Sequence, residues 1–308
     1  MIYNVYSHSL VLRYRAYLFS KASFFQLIAT ILLVVCPYVI AFRSSGFWLK
    51  ENMYREMPIV NYEYNAIVQI STNKDRTLVW STYNLLNDIL ISQNEFAIAT
   101  VKSNEHDFNL DGRKDKLKFS ASFQLNSDEI VTHVSSLFFF DYQFILFSRL
   151  MLKGMAYVQS SDYFGGSKLS IIGDLDFIQR ELVPYKGVNR DNYDAVISPT
   201  VYAESYDFAE ILDKYSSRNF TTRFQNSYSF WNRGFSEQNL FVLDVSVNFR
   251  EQLIRYKPGF WELMKFAWIQ YLAIFLIFQF VFNRVKIFVF ENQLFPTIIV
   301  HPFKTKSL

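Results

Sequence analysis

The chain is short of cysteine and of charge, and each shortage excludes something. Cys36 is the only cysteine, so no disulfide framework can form within one chain. A domain facing an oxidising compartment would have to stand on its core, and on any bound ions, without cross-links. Charged residues make up 19% of the sequence, against about 25% in ordinary soluble proteins. The formal net charge is only +3, and no basic run with interleaved aromatics occurs, which sets nucleic-acid binding aside. Signatures of chemistry are missing as well. There is no nucleophile elbow, no phosphate-binding glycine loop and no pair of zinc ligands. Of the histidines, His8 and His301 lie in the tails, His106 borders an acidic loop, and His133 sits in a strand-like stretch. The simpler reading of His133 is a satisfied core or edge histidine. Asp174 and Asp176 read as solvated turn residues. The expectation is a protein that is not an enzyme and has no small-molecule substrate.

What the sequence has in excess is apolar surface. It is 51% hydrophobic, with 33 Phe and 20 Tyr. A chain this apolar must hide surface in a bilayer, a partner or a large core. Ala22 to Phe42 contains no charge and is closed by Lys21 and Arg43; about 20 apolar residues span a bilayer core. The rival reading is a cleaved signal peptide, but the run is long and no short basic segment precedes it. Pro37 predicts a kink that a span tolerates. Phe266 to Phe282, between Lys265 and Arg284, is the second span, with Trp261, Trp268 and Tyr271 at its start where amphipathic rings favour the interface. Gln270 and Gln279 inside it either bond locally or face the other span or a partner protein. Leu137 to Leu152 is a third apolar run, but Asp141 and Arg149 would be costly at bilayer depth. Ile130 to Val134 before it alternates apolar with polar. The region reads as two core strands.

Charge at the flanks sets an orientation. The N-terminal segment carries Arg13, Arg15 and Lys21 without an acid, and the tail carries Arg284, Lys286, Lys304 and Lys306 against Glu291. By the positive-inside rule both ends are cytoplasmic, although Arg43 and Lys50 pull the other way at the first span. The predicted organisation is a cytoplasmic segment 1–21, a transmembrane helix 22–42, a lumenal or extracellular β-rich domain 43–265, a second transmembrane helix 266–282, and a cytoplasmic tail 283–308.

The central segment reads as a sandwich-like α+β domain. Thr77 to Trp80, Leu117 to Leu125, Leu169 to Ile172 and Phe241 to Phe249 are strand-like, separated by turn signals such as Asp111-Gly112 and Gly165-Gly166. One helix is expected from Tyr206 to Tyr215, where Phe208, Ile211, Leu212 and Tyr215 share a face. The most specific local pattern is Asp107-Phe-Asn109-Leu-Asp111-Gly112-Arg113-Lys-Asp115. Oxygen side chains at alternate positions, a glycine for the sharp turn, and the carbonyl of Arg113 match a Ca2+ loop. Lys118 stands where an EF-hand has its bidentate Glu, and no flanking helices are apparent. The shorter pattern resembles the calcium loops of β-hairpins in integrin-type propellers; the rival reading is a solvated acidic turn. Asn219-Phe220-Thr221 is an N-glycosylation sequon in the segment assigned to the lumen, against an unmodified surface turn.

The membrane ends carry a family resemblance. Ser7-His8, Tyr14-Arg15-Ala16 and Ser20-Lys21-Ala22 precede the first span, and Arg43-Ser-Ser-Gly46-Phe47-Trp48-Leu49-Lys50 follows it. Pro258-Gly259-Phe260-Trp261-Glu262 and Lys265-Phe-Ala-Trp268-Ile-Gln270-Tyr271 open the second span, and Arg284-Val-Lys286-Ile-Phe-Val-Phe290 follows it. With Trp80-Ser81-Thr82, the Asp107–Asp115 loop, Gln159-Ser160-Ser161 and Arg218-Asn219-Phe-Thr221-Thr222, these residues resemble the transmembrane protein 231 family from about residue 5 to 293. The resemblance is patchy from about 120 to 250, and the tail after Gln293 does not match clearly. It implies a component of the tectonic, or Meckel-syndrome, complex at the ciliary transition zone. The implied role is a non-enzymatic scaffold of the diffusion barrier that controls ciliary membrane composition and supports cilium assembly. Its implied partners are other transition-zone membrane proteins and the lipid bilayer. The residues alone reach only an anchored scaffold with an exposed domain; the alternative they leave is a calcium-dependent membrane-anchored receptor or adhesion protein.

Overall fold

The computed structural model describes residues 12–44, 48–200, 202–233 and 239–300; Ser7, His8, Gly46, Phe47, His301, Lys304 and Lys306 lie outside them. In chain order the elements are β1 (Arg13–Arg15), α1 (Lys21–Arg43), β2 (Asn52–Glu56), β3 (Ile59–Thr72), β4 (Thr77–Ser81), α2 (Asn84–Gln93), β5 (Ala99–His106), β6 (Lys116–Gln124), β7 (Val131–Phe144), β8 (Arg149–Gly166), β9 (Lys168–Gln179), β10 (Val183–Pro184), β11 (Val188–Asn192), α3 (Phe208–Ser216), β12 (Phe220–Asn232), β13 (Leu240–Phe249), β14 (Gln252–Lys257), α4 (Phe260–Glu291) and β15 (Ile298–Val300). A 3-10 turn at Ala203–Tyr206 precedes α3. They form two compact units, Glu51–Lys257 and a helical unit made from the chain on either side of it.

Period-2 alternation builds the first unit. In β13, Phe241, Leu243, Val245, Val247 and Phe249 are all buried while the residues between them are half-buried. β13 lies between β6 and β9 in a five-stranded sheet of order β12-β9-β13-β6-β5. The facing sheet runs β11-β8-β7-β3-β4. Inward side chains of both sheets share one core, centred on Phe119, Phe123, Phe138, Phe140, Tyr142 and Phe241. This is a β-sandwich. A smaller sheet, β10-β14-β2, lies at its margin.

The two sheets differ on their outer faces. Leu137, Phe139 and Met155 of β7 and β8 point away from the sandwich and pack under α2, the 3-10 turn and α3 through Leu86, Leu90, Tyr206, Ile211 and Tyr215. That is why Leu137-Phe-Phe-Phe140 shows no alternation: β7 is buried on both faces. The apolar run Leu137–Leu152 is thus two antiparallel strands, as its charges require. Asp141 opposes Lys153 in register, and Lys153 Nζ lies 2.6 Å from both Asp141 Oδ1 and Glu63 Oε1. Buried Glu56 caps the hairpin loop, its Oε1 accepting from the amides of Ile145 and Leu146 at 2.8 and 2.9 Å. Among the described residues of this unit, no helix packs on the outer face of the other sheet.

The second unit holds two helices long and apolar enough to cross a membrane, α1 and α4. They touch through the small residues Ala41 and Ala267, with Tyr271 and Ile274 alongside, as helices without a hydrophobic drive between them do. Ser20 caps α1 by accepting from Ser23 N at 3.3 Å. Pro37 withdraws the amide that the Leu33 carbonyl would accept, and Tyr271 Oη donates to the adjacent carbonyl of Val34 at 3.4 Å. Helix α4 runs well beyond the uncharged stretch 266–282 in both directions. At ~1.5 Å per residue it is roughly 48 Å long, more than a ~30 Å bilayer core needs. After Gln293, Ile298–Val300 form β15, which pairs antiparallel with β1, Arg13 opposite Val300 and Arg15 opposite Ile298. The ring of Phe25 meets those of Phe290 and Phe295 beside that pairing.

Candidate functional site

The acidic loop is the connection between β5 and β6, which pair from Ala99–Phe123 to His106–Lys116. Strands flank it, so its setting is a hairpin and not an EF-hand. The backbone turns at Leu110 and Gly112, both in the left-handed region at φ 57° and 84°. The carboxylates are used locally. Asp107 Oδ2 accepts from Gly112 N at 2.9 Å, Asp111 Oδ1 from Arg113 N at 2.7 Å, and Asp115 Oδ2 from Phe108 N at 2.8 Å. Asn109 Oδ1 accepts from Asp111 N at 3.0 Å, and its amide donates to Asp111 Oδ2 at 3.1 Å. Arg113 donates its guanidinium to the carbonyl of Met57, which ties the loop to the neighbouring strand segment. Asp107 Oδ1 is buried and has no partner. Among the described residues no group of three or more His, Cys, Asp or Glu is placed to hold a metal ion. The loop is closed by Asx turns of its own.

Asn219 is exposed on a bend immediately before β12, while the neighbouring Phe220 and Thr221 are buried. The carbonyl of Asn219 accepts from Arg180 N at 3.0 Å, so the backbone is pinned while the side chain projects outward. His133 is half-buried in β7 with its Nε2 2.8 Å from Ser135 Oγ, a satisfied strand histidine.

Buried and half-buried titratable groups in the β unit tie elements together. Tyr215 of α3 accepts at its hydroxyl from Thr222 N at 2.7 Å and from Met155 N at 3.1 Å. Burial pushes its pKa up, against the hydrogen bonds from Thr222 and Met155. Burial alone would lower the Lys153 pKa, but the hydrogen bonds it donates to Asp141 and Glu63 outweigh that and hold the ammonium above the usual lysine value.

One constellation departs from the sequence reading. Asp174 is not a solvated turn residue: it lies inside β9 and is 4% exposed. The alternation of Leu169, Ile171 and Leu175 places it on the outer face, and that periodicity was the available signal. Asn248 of β13 is its register partner on one side. On the other, β12 bulges between Gln225 and Tyr228, with Asn226 at φ 51°. Asp174 accepts from Asn248 Nδ2 at 3.0 Å and Asn226 Nδ2 at 3.3 Å, and pairs with Arg250 Nε at 3.0 Å. Gly173 makes the close approach of β12 feasible, since a Cβ there would lie 2.4 Å from Phe224 Cζ. These residues line a cleft of about 500 Å³ with Ile172 and Tyr228 at its edge.

In the helical unit the polar positions divide. Gln270 is half-buried on the face of α4 that carries Ala267, Tyr271 and Ile274, and its Oε1 is buried without a partner. Gln279 stands on the exposed face. No charged side chain lies between Lys21 and Arg43 in α1 or between Lys265 and Arg284 in α4.

The sequence model of the family described as transmembrane protein 231 matches residues 1–299. Transmembrane protein 231 of Rattus norvegicus is 37% identical over 302 residues, covering 97% of this chain and 95% of that protein. The Xenopus tropicalis protein of the same name is 36% identical over 96% of this chain and 95% of its own length, and the Homo sapiens one 36% over 97% and 95%. A cryo-EM structure of a proton-activated chloride channel aligns over 87% of this chain and 97% of its own, at 8% identity and a TM-score of 0.30, too low to carry an argument.

Proposed function

This chain belongs to the transmembrane protein 231 family, and from that premise we propose that it is a non-enzymatic membrane scaffold of the ciliary transition zone. In this reading it is one component of the tectonic, or Meckel-syndrome, assembly, and helps form the diffusion barrier that controls which membrane proteins enter the cilium. The single observation that carries the reading is the family match, which takes in both helices and the whole β domain. Two helices of membrane-spanning length supply an anchor. The sandwich supplies a rigid body for contacts outside the bilayer, and its buried charges are spent on tying strands together. Both termini face the cytoplasm in this proposal, the β domain faces the lumen or exterior, and Asn219 carries a glycan. The experiment is imaging of a tagged chain in ciliated cells. A ring at the ciliary base supports the gate; diffuse staining over the cell surface would replace it with a receptor or adhesion protein.

A further inference from the structure

We propose that the cleft around Asp174, on the outer face of the β12-β9-β13-β6-β5 sheet, binds a neutral carbohydrate. It rests on geometry rather than on the family, and its test does not depend on where the protein resides.

The cleft is built, not incidental. Its base is a carboxylate 4% exposed to solvent, and burying such a group in a β-sheet is costly unless its lone pairs are answered. Here both oxygens are engaged, by the amide nitrogens of Asn226 and Asn248 and by Arg250 Nε. That arrangement fixes the orientation of each partner. Because the Asn226 and Asn248 side chains turn their NH2 groups to Asp174, their carbonyl oxygens are left as acceptors away from it. Arg250 spends Nε on Asp174, and its side chain is 65% exposed, so the terminal nitrogens are directed outward as donors. The bulge that brings Asn226 in holds a non-glycine residue at positive φ, a conformation that asparagine tolerates but that still has a cost.

Chemistry narrows the ligand. Asp174 and Arg250 cancel one another, so the lining offers paired donors and acceptors without net charge. A phosphate or sulfate would find one guanidinium, already half engaged, and a buried carboxylate beneath it; that is a poor anion site. A vicinal diol matches better, since each hydroxyl both donates and accepts. Beside the polar floor, Tyr228 is 68% and Ile172 41% exposed, and Tyr228 lies in register with Ile172 across β12 and β9. An exposed ring next to fixed planar amides gives the C–H face of a pyranose something to stack on while its hydroxyls are read at the rim. Loop tips do not enter into this; every participant sits on or directly beside a strand.

The test uses the full-length protein in detergent and the methyl glycosides of glucose, galactose, mannose and N-acetylglucosamine as probes, followed by saturation-transfer NMR and calorimetric titration. Inorganic phosphate is titrated in parallel. The expected result is saturable binding of at least one glycoside, weakened roughly tenfold or more by Tyr228→Ala and by Arg250→Gln, with phosphate inert. Tyr228 is exposed, so its truncation is expected to leave the unfolding midpoint unchanged and to separate lost binding from lost fold. Absence of binding by all of the glycosides would overturn the proposal. So would binding of phosphate in their place, or glycoside binding that survives both substitutions.

Discussion

At the scale of the residue, the buried hydroxyl of Tyr215 does what no backbone group is placed to do. Thr222 N points at Tyr215 Oη at 2.7 Å, and Tyr215 Oη also lies 3.0 Å from Thr222 Oγ1. Removing the hydroxyl leaves a buried amide without its acceptor. Leaving such a group unsatisfied costs about 1–3 kcal/mol. Tyr215→Phe is therefore expected to destabilise the protein by about that amount in denaturant unfolding of the detergent-solubilised chain, with the slope unchanged. A loss below ~0.5 kcal/mol would mean that water reaches Thr222 N.

The acidic loop shows how far residue spacing alone can be trusted. Its turn was legible: Asp111-Gly112 forms the reversal, and Gly112 takes the positive φ. What the spacing could not tell is what the oxygens face. Asp107, Asp111, Asp115 and Asn109 each accept a nearby backbone amide, because short carboxylates and carboxamides reach amides two to seven residues away as readily as they reach a cation. Such a loop closes by itself, so thermal unfolding of the full-length protein is expected to give the same midpoint in calcium and in chelator. A calcium-dependent rise that Asp111→Ala abolishes would instead assign the metal role to Asp107, Asn109, Asp111, Asp115 and the Arg113 carbonyl.

At the scale of the element, alternation was the reliable signal and double burial the obscuring one. β13 and β6 were readable because one face of each is packed and the other is half-exposed. In β7 the period vanishes, since α3 and α2 cover the face that would otherwise be polar. Asp141 in β7, Arg149 at the start of β8, and the alternation of Ile130 to Val134 just before marked the region as something other than a membrane span. α2 was missed entirely: Asn84–Gln93 has no side-chain cap at its start and no charge in its first or last turn, and the one end signal is Asn94, which takes the left-handed conformation just past its last residue. Lys153 gives the hairpin a testable electrostatic signature. Its folded-state pKa is raised, so its contribution to stability is complete below the unfolded lysine value of ~10.4 and fades as pH rises through the folded one. Lys153→Gln is expected to cost about 1–3 kcal/mol at neutral pH by leaving Asp141 and Glu63 facing one another. The gap to the natural chain should narrow in alkaline solution. A gap that stays constant with pH would mean that the lysine acts through packing alone.

Helix α4 poses the complementary question of whether an apolar element is only an anchor. Gln279 is exposed on it, and a helical side chain leans toward the helix N-terminus, here away from the interfacial Arg284. In hydrocarbon the amide then has no water to bond. Exchanging Phe266–Phe282 for an unrelated apolar span of equal length is expected to preserve membrane insertion and to weaken enrichment at the ciliary base. Unchanged localisation would reduce the helix to an anchor.

At the scale of the whole molecule, the decisive relation is between the two ends of the chain. Charge gave one argument for placing them together: Arg13 and Arg15 before α1 with Lys21 at its start, and Arg284 and Lys286 near the end of α4. Arg43 on the far side of α1 weakens that argument taken by itself. The pairing of β1 with β15 is independent of charge. Backbone hydrogen bonds between Arg13–Arg15 and Ile298–Val300 require both segments to be on the same side of any bilayer that α1 and α4 cross, so the chain must cross an even number of times. This also rules against a third span within 137–152, which β7 and β8 already occupy. The proposed orientation, with both ends cytoplasmic, takes its side from the basic excess. In sealed microsomes, protease is expected to digest tags at both termini while Glu51–Lys257 survives, and the surviving fragment should carry a glycosidase-sensitive mass that Asn219→Gln removes. Survival of both tags with loss of the centre would invert the orientation and take the glycan with it. One tag digested and one protected would break the β1–β15 pairing itself, and with it the hairpin arrangement of the helices.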